Sequence, residues 1–562
     1  MSWKQKEYDK ERMQSLSDDG ILPMLATIVA NRPNDICNKS DIKKYVQCEI
    51  EDIADPLQLS GMDTAVKTVA KCDREKTVLI FGDYDVDGVT SSYLCRKVLR
   101  KSGFKDVKVF LPHRKKDGYG LNDNSVANLL DAASDLDVGL FVILDCGSSS
   151  RDQIEKLKTV FTNAMFLVFD HHIIDPENFS GNAEAVINPR IGKNELFCTG
   201  GLMYQFARAV HKDLKQEEYL PYAAIATVAD VCHMQGSNRI IVRKGLQETS
   251  NVTDMGLKRL MNTAEIDPCD CTEDDIGFGI APMINAAGRL SSATRGLKLL
   301  ECTNLEEADS AAKGLQAIND ERKNIQNEIL DEAENMIVGK MDGKKTIVVH
   351  GENWNIGVVG IVAGRLAEKY TCPVICFGND EGTITGSARS RGGIHIKEAM
   401  DNCKDIFLRY GGHEQAAGAT LNPEFLDVAW DRFDRAVKEQ MVKKGMLSMP
   451  FIYDAEIDTR ILRNLNDSFA ERLAQLGPFG NGNEKPILRA NGLKCKMVHA
   501  WKKGSGGFLK FDKIGMECYA MVPDLKSKIE GKTVDVLFQI ERCFMDDVKW
   551  AVRVLKARIA DV

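Results

Sequence analysis

The sequence predicts an α/β protein: a domain built on a parallel β-sheet, a long connecting helix, a second α/β domain and a C-terminal β-barrel. Three observations carry this reading. Continuous apolar runs stand at 77–82 (TVLIFG), 107–112 (VKVFLP), 138–145 (VGLFVILD) and 165–170 (MFLVFD), separated by polar stretches long enough for crossovers. Unbroken runs are what strands covered on both faces require. The stretch 311–338 places Leu315, Ile318, Ile325, Ile329, Ala333 and Ile337 at helical spacing among many charges, which makes one amphipathic helix. Past residue 450 the pattern changes to five short alternating runs with Gly-rich turns, the signature of a small barrel.

The elements follow in order. At about 100–200 residues per domain the chain makes three or four domains. An N-terminal extension at 1–45 carries no usable motif, and the leading domain occupies 46–300. In it TVLIFG ends in Asp83 and a helix begins near Gly88, while 199–261 is mostly helical, entered at Gly200-Gly201 and containing the apolar helix PYAAIATVAD. The connecting helix falls in 301–341. The second α/β domain, 342–445, opens with KTIVVH and contains the Gly-rich segments GTITGSARSRGG and YGGHEQAAG, and the barrel takes 446–562.

Composition excludes several classes. An apolar share of 44% and the absence of repeats rule out a disordered or fibrous chain. No run approaches the roughly 18 apolar residues of a membrane span, and the N-terminus is too polar for a secretory signal, so the expectation is a cytoplasmic protein. Sixteen Cys without a C-x-x-C pair read as reduced thiols rather than a disulfide frame or a zinc site. The net charge of −8 is unevenly spread: residues 489–562 carry 15 Lys+Arg against 9 Asp+Glu, a net +6, and the remainder carries −14. A basic module on an acidic body suits local binding of a polyanion.

The chemistry concentrates at strand ends. FGDYDVDGVTSS (81–92) puts Asp83, Asp85 and Asp87 within five residues of one strand-to-helix turn. Three carboxylates so placed repel by several kcal/mol even at an effective dielectric of ~20, and a cation is the usual remedy. Helix capping and solvation explain one Asp at such a turn, not three. Asp145 and Asp170 finish two further strands, His171 and His172 follow Asp170 directly, and TVADV supplies Asp230. Ligands of parallel sheets bind at the carboxyl ends of the strands. Carboxylates mixed with imidazole suit Mn²⁺ or Mg²⁺, and there are ligands enough for two ions sharing one carboxylate.

At these residues the sequence resembles the DHH phosphoesterase superfamily, named for the Asp-His-His that stands here as Asp170-His171-His172, and within it the single-strand-specific exonucleases. The resemblance also runs through HRKKDGYGL (113–121), MINAAGRL (283–290), WNIGVVGIVAGRLAEKY (354–370), GSARS (386–390), GGHEQAAG (411–418) and GPFGNGNEKP (477–486). It implies a DHHA1-type second domain and an oligonucleotide-binding (OB-type) barrel. Asp83, Asp85, Asp87, Asp145, His172 and Asp230 match metal-site positions, with Asp145 bridging, and His171 matches the position that contacts the scissile phosphate. Arg114, Arg289, Ser387 and Arg389 match a pocket for a terminal 5′-phosphate, and His413, with Gly411 and Gly412, lines the cleft of the second domain. Arg forks and Gly-rich turns give this a physical basis, since both present N–H groups to an anion. Two departures are visible: Trp354 is followed by Asn355 where relatives carry His, and Cys146 stands where Asn is common.

Lys502, Lys503 and Lys510 border the hairpin GSGG and are the candidate contacts to a nucleic-acid backbone. Phe479, Trp501, Phe508, Tyr519 and Phe538 are candidate stacking faces. The implied activity is a two-metal, single-stranded-DNA-specific 5′→3′ exonuclease releasing 5′-mononucleotides in recombination and repair, a monomer supplied by a helicase and a single-strand-binding protein. The competing reading is a phosphodiesterase of short oligoribonucleotides or cyclic dinucleotides, which needs neither the long helix nor the barrel. A non-catalytic scaffold is disfavoured because every acidic and His position is kept.

Overall fold

Apolar runs become strands wherever both faces are covered. In the computed structural model, which describes residues 3–560 apart from 33–35, 193–194, 381, 446–450, 502–505, 522–527 and 546–547, the first sheet is formed by β1 (Thr77–Phe81), β2 (Val107–Phe110), β3 (Val138–Leu144), β4 (Met165–Phe169) and β5 (Ala185–Ile187). Their order is β2-β1-β3-β4-β5 and every pairing is parallel. Each residue of β1 and β3 is buried, as their unbroken apolar sequences require. Helix α1 (Val86–Lys101) leaves the end of β1, capped by Asp85, whose side chain accepts from the Gly88 amide. Two further buried helices, α2 (Thr199–Val210) and α3 (Leu220–Ala229), pack on α1 and on each other.

The chain forms two compact units. The first sheet and its helices belong to the larger one. The smaller contains most of α4 (Ala281–Leu290) and of the long helix α5 (Leu305–Ile337), together with α6 (Ile356–Tyr370). Its sheet has β6 (Ile347–Gly351), β7 (Val374–Asp380), β8 (Thr383–Arg389), β9 (Phe407–Gly412) and β10 (Ala416–Leu421) in the order β9-β10-β8-β7-β6, parallel only between β6 and β7. Ile325, Ile329, Ala333 and Ile337 of α5 pack with Trp354, Val358 and Leu366, so the apolar stripe read from the sequence is the face this helix buries.

The C-terminal segment returns to the larger unit. It forms a mixed six-stranded sheet of β11 (Ala455–Glu456), β12 (Leu488–Ala500), β13 (Gly507–Phe511), β14 (Cys518–Ala520), β15 (Thr533–Met545) and β16 (Val548–Ile559), in the order β11-β12-β13-β14-β16-β15, with β15 also pairing with β12. All five alternating runs are strands. The N-terminal segment, silent in sequence, completes this sheet's core: Leu16, Met24, Ala26 and Ile28 are buried among Leu488, Val536, Phe538 and Val552. The Lys6 amide donates to the Tyr453 carbonyl at 2.8 Å, and Asn31 Nδ2 donates to Asp454 Oδ1 at 3.2 Å. Phe538 is therefore a core residue and offers no stacking face.

Candidate metal centre

Five carboxylates reach one place from three parts of the chain. Asp83 and Asp85 lie on the β1–α1 turn and Asp87 in the first turn of α1. Asp145 follows β3 and Asp230 caps the C-terminus of α3. The backbone bends sharply at two of these points. Asp145 has φ +62° and Val231, next to Asp230, has φ +55°. Left-handed conformations are unusual away from glycine and persist where the surroundings impose them.

The amino end of α2 fixes the cluster. The Thr199 and Gly200 amides donate to the two oxygens of Asp87 at 2.8 and 2.6 Å, and the Thr199 hydroxyl donates to Asp145 Oδ1 at 3.1 Å. A helix N-terminus offers unpaired amides and a positive dipole end to an anion. Gly200 is required for this approach: a Cβ there would lie 2.3 Å from the Ala226 Cβ and 3.2 Å from Asp87 Oδ1. The sequence marked Gly200 as an entry turn without revealing that it binds Asp87.

The two histidines have different surroundings. His171 enters the cluster, with Nε2 3.2 Å from Asp145 Oδ1 and 3.7 Å from Asp87 Oδ2, and Nδ1 3.7 Å from Asp230 Oδ2. His172 is engaged at both nitrogens, Nδ1 with Asp170 Oδ1 and Nε2 with the Tyr119 hydroxyl, each at 2.8 Å. Potential ligand atoms within 4.8 Å of one another fall into three sets: Asp83, Asp85 and Asp145; Asp87, His171 and Asp230; Asp145, His171 and His172. The resemblance put His172 in the metal site and His171 at the phosphate; His172 shares one of these sets, with Asp145 and His171, whereas His171 stands in two of them. His171 is the ring surrounded by carboxylates.

The electrostatics fit divalent cations. Asp83 Oδ1 and His171 Nε2 are buried without a hydrogen-bond partner, and among the described residues no Lys or Arg pairs with any of the five carboxylates. Burial, reinforced by Asp85, pushes the Asp83 carboxyl up to about 8. Burial and Asp87 raise Asp230 to about 8. Asp87 and Asp145 are also raised, by burial first. Burial holds His171 below its ordinary value. Burial would lower His172 too, but the bond to Asp170 prevails and raises it to about 9. Buried carboxylates with orphaned oxygens, mutual repulsion and one imidazole are a hard-cation donor set.

Around this centre stand further residues, of which the sequence marked Asp170, as a strand end, and Arg114. Asp170 accepts from the His171 and His172 amides and from the Ser148 amide. Tyr119 lies edge-on to Tyr84, and the predicted phosphate ligand Arg114 places its guanidinium 5.2 Å above the Tyr84 ring. Asn188 and Arg190 donate to the carbonyls of His172 and His171. The only sequence signal for the last two was their place just after a short apolar triplet.

In the smaller unit, Arg289, Ser387 and Arg389 gather at the first two turns of α6. Arg289 Nη1 donates to the Gly357 carbonyl at 2.8 Å, and a Cβ on Gly360 would lie 3.1 Å from both Ser387 Oγ and Arg389 Nη2. Asn355 caps this helix by accepting from the Gly357 amide, which gives the Asn found in place of His a local function. Gly411 pairs with Gly418, and Gly418 with Ser387, so these three share one row across β9, β10 and β8. Gly412 and the exposed His413 continue the β9–β10 hairpin, the His413 amide donating to the Ala416 carbonyl. Lys510 is exposed on β13. Lys502 and Lys503 lie outside the described residues.

Known proteins share this arrangement. The family model "DHH family, N-terminal domain" matches residues 77–229, and "DHHA1 domain" matches 334–439. The single-stranded-DNA-specific exonuclease RecJ of Salmonella typhimurium is 31% identical over 77% of this chain and 78% of its own length. The chain belongs to the RecJ family. RecJ of Bacillus subtilis is 29% identical over 86% of this chain, which spans 61% of that relative's length. The crystal structure of RecJ from Thermus thermophilus in complex with Mn²⁺ superposes with a TM-score of 0.78 at 23% identity, covering 100% of this chain and 79% of that one. The RecJ fold thus extends over the C-terminal sheet as well as both matched domains.

Proposed function

We propose that the chain is a metal-dependent, single-stranded-DNA-specific exonuclease that hydrolyses phosphodiester bonds from the 5′ end and releases 5′-mononucleotides. One observation carries the reading: Asp145 shares one ligand set with Asp83 and Asp85 and another with His171 and His172, and His171, 3.2 Å from Asp145, also groups with Asp87 and Asp230. Mn²⁺ or Mg²⁺ fits both sets. When bound, the two ions supply an activated water and offset the charge that builds on the phosphate.

The protein's own groups set the geometry. Asp83, Asp85 and Asp145 hold one ion; Asp87, His171 and Asp230 hold the other, again with Asp145. Thr199 locks Asp87 and Asp145 in place. His172, kept cationic by Asp170, faces the scissile phosphate together with Tyr119. Arg289, Ser387 and Arg389 take the terminal 5′-phosphate through charge-assisted bonds, capture of that group sets 5′→3′ polarity, and Arg114, on the larger unit, is assigned to a phosphate of the strand. His413 with Gly411 and Gly412 lines the path of the strand, and Lys502, Lys503 and Lys510 grip its backbone on the basic C-terminal module. In this reading the domains are those at 46–300, 342–445 and 446–562. A helicase and a single-strand-binding protein supply the substrate, and the chain acts as a cytoplasmic monomer in recombination and repair.

The test is digestion of a single-stranded 60-mer labelled at either end, with Mn²⁺. Immediate release of the 5′ label as mononucleotide, with a shrinking ladder from the 3′-labelled strand, is the expected result. An intact 60-mer beside rapid cleavage of dinucleotides would move the assignment to a small-substrate phosphodiesterase.

A further inference from the structure

His171 and His172 lie in neither a helix nor a strand, so no ladder or helical turn fixes the imidazole that enters the carboxylate cluster. Other groups do this. The His171 amide donates to Asp170 Oδ1 at 2.8 Å. Its carbonyl accepts from Arg190 Nε, also at 2.8 Å. Arg190 is itself set by Asn188, which is 1% exposed and makes three bonds: Nδ2 donates to Ser148 Oγ at 2.9 Å and to the His172 carbonyl at 3.0 Å, and Oδ1 accepts from the Arg190 amide at 2.9 Å. The segment leaving β5 thus clasps both carbonyls of the histidine pair.

We propose that Arg190 is a positioning residue for the ion site of Asp87, His171 and Asp230. The inference rests on the reading of His171 as a metal ligand. With its amide and carbonyl both held, the His171 peptide planes have little freedom to rotate, and the ring direction follows from the backbone. A ligand displaced by about 1 Å no longer meets the distance a metal demands. The Asp83, Asp85 and Asp145 set contains no histidine, so loss of Arg190 weakens one of two sites and spares the other. A residue that merely supported the fold would affect both alike.

Arg190 is exposed, so its replacement leaves no buried cavity. Arg190→Met keeps the aliphatic stem and removes every donor; Arg190→Lys keeps a donor for the carbonyl. The full chain, stripped of metal, is titrated with Mn²⁺ by calorimetry. Wild-type protein is expected to bind two ions. Arg190→Met should bind one with unchanged affinity and the other about 10–100-fold more weakly, the range seen when an outer partner of a metal ligand is lost, and Arg190→Lys should recover most of that loss. At limiting Mn²⁺ kcat of the Met variant should fall while KM for the DNA strand holds, and excess Mn²⁺ should restore kcat. Two unchanged affinities in Arg190→Met would overturn the inference, as would equal weakening of both sites. Fewer than two ions bound by wild-type protein would instead bring down the two-site reading on which it rests.

Discussion

Asp170 and His172 are bonded twice: Asp170 Oδ1 accepts from the His172 amide at 3.1 Å and from its ring Nδ1 at 2.8 Å. The pairing fixes the ring and holds its charge, since His172 is raised to about 9. Asp170→Asn keeps the shape and removes the charge. His172 should then titrate nearer its ordinary value of about 6.5, so the alkaline limb of the pH–rate profile moves to lower pH and kcat falls by about 10–100-fold at neutral pH. Initial rates on 5′-phosphorylated single strands from pH 6 to about 9.5 give the answer, and an unmoved alkaline limb would show that His172 does not act as a cation.

Asp145 is the residue common to both proposed ion sites. Its left-handed backbone, φ +62°, makes Asn the best replacement, because Asn tolerates that conformation where most residues do not. Asp145→Asn should reduce hydrolysis to background while single-strand binding, measured by fluorescence anisotropy without metal, changes little. Retained turnover in metal-washed protein would mean that the shared ligand is misassigned.

Stability of the metal-free protein should fall as pH rises. Asp83 and Asp230 are raised by folding to about 8 from an ordinary carboxyl value of about 4. Between those values the folded state binds more protons than the unfolded one. The stability these groups contribute is therefore complete below about pH 4 and is lost on the way to pH 8. Cations replace the protons, so Mn²⁺ should protect increasingly as pH rises. Thermal midpoints with chelator and with Mn²⁺ at several pH values test this: curves that run parallel would contradict it.

Arg389 should matter only when the substrate carries a terminal phosphate. Loss of a charged hydrogen bond is worth about 1.5–3 kcal/mol, so Arg389→Ala should raise KM for a 5′-phosphorylated strand by roughly 10–100-fold and leave a 5′-hydroxyl strand almost unaffected. An equal rise for both strands would place Arg389 on the nucleic-acid path rather than at its end.

The parts legible in the sequence were those written as local pattern. Four of the five parallel strands stood out as apolar runs; β5 did not, because Ala185–Ile187 is too short to show a period. The carboxylates were readable from their mutual repulsion and their positions at strand ends. The different surroundings of His171 and His172 were not. Adjacent residues of one type share every local signal, and only Asp170 and Tyr119, which engage the second ring, decide which imidazole turns inward. Thr199 was equally hidden, since it reaches Asp87 from 112 positions along the chain. The N-terminal segment showed no motif because its contribution is to a core shared with distant strands, through Leu16, Ala26 and Ile28.

That shared core has a consequence for biosynthesis. Leu16 and Ala26 leave the ribosome long before their neighbours Val536, Val552 and Val554. Contacts of such sequence separation form late, after a large loop entropy has been overcome. The first sheet can assemble while translation continues, but the N-terminal segment must wait, with Leu16, Ala26 and Ile28 uncovered, until β16 emerges. A nascent chain released before that point would expose that segment, a ready target for chaperones and proteases.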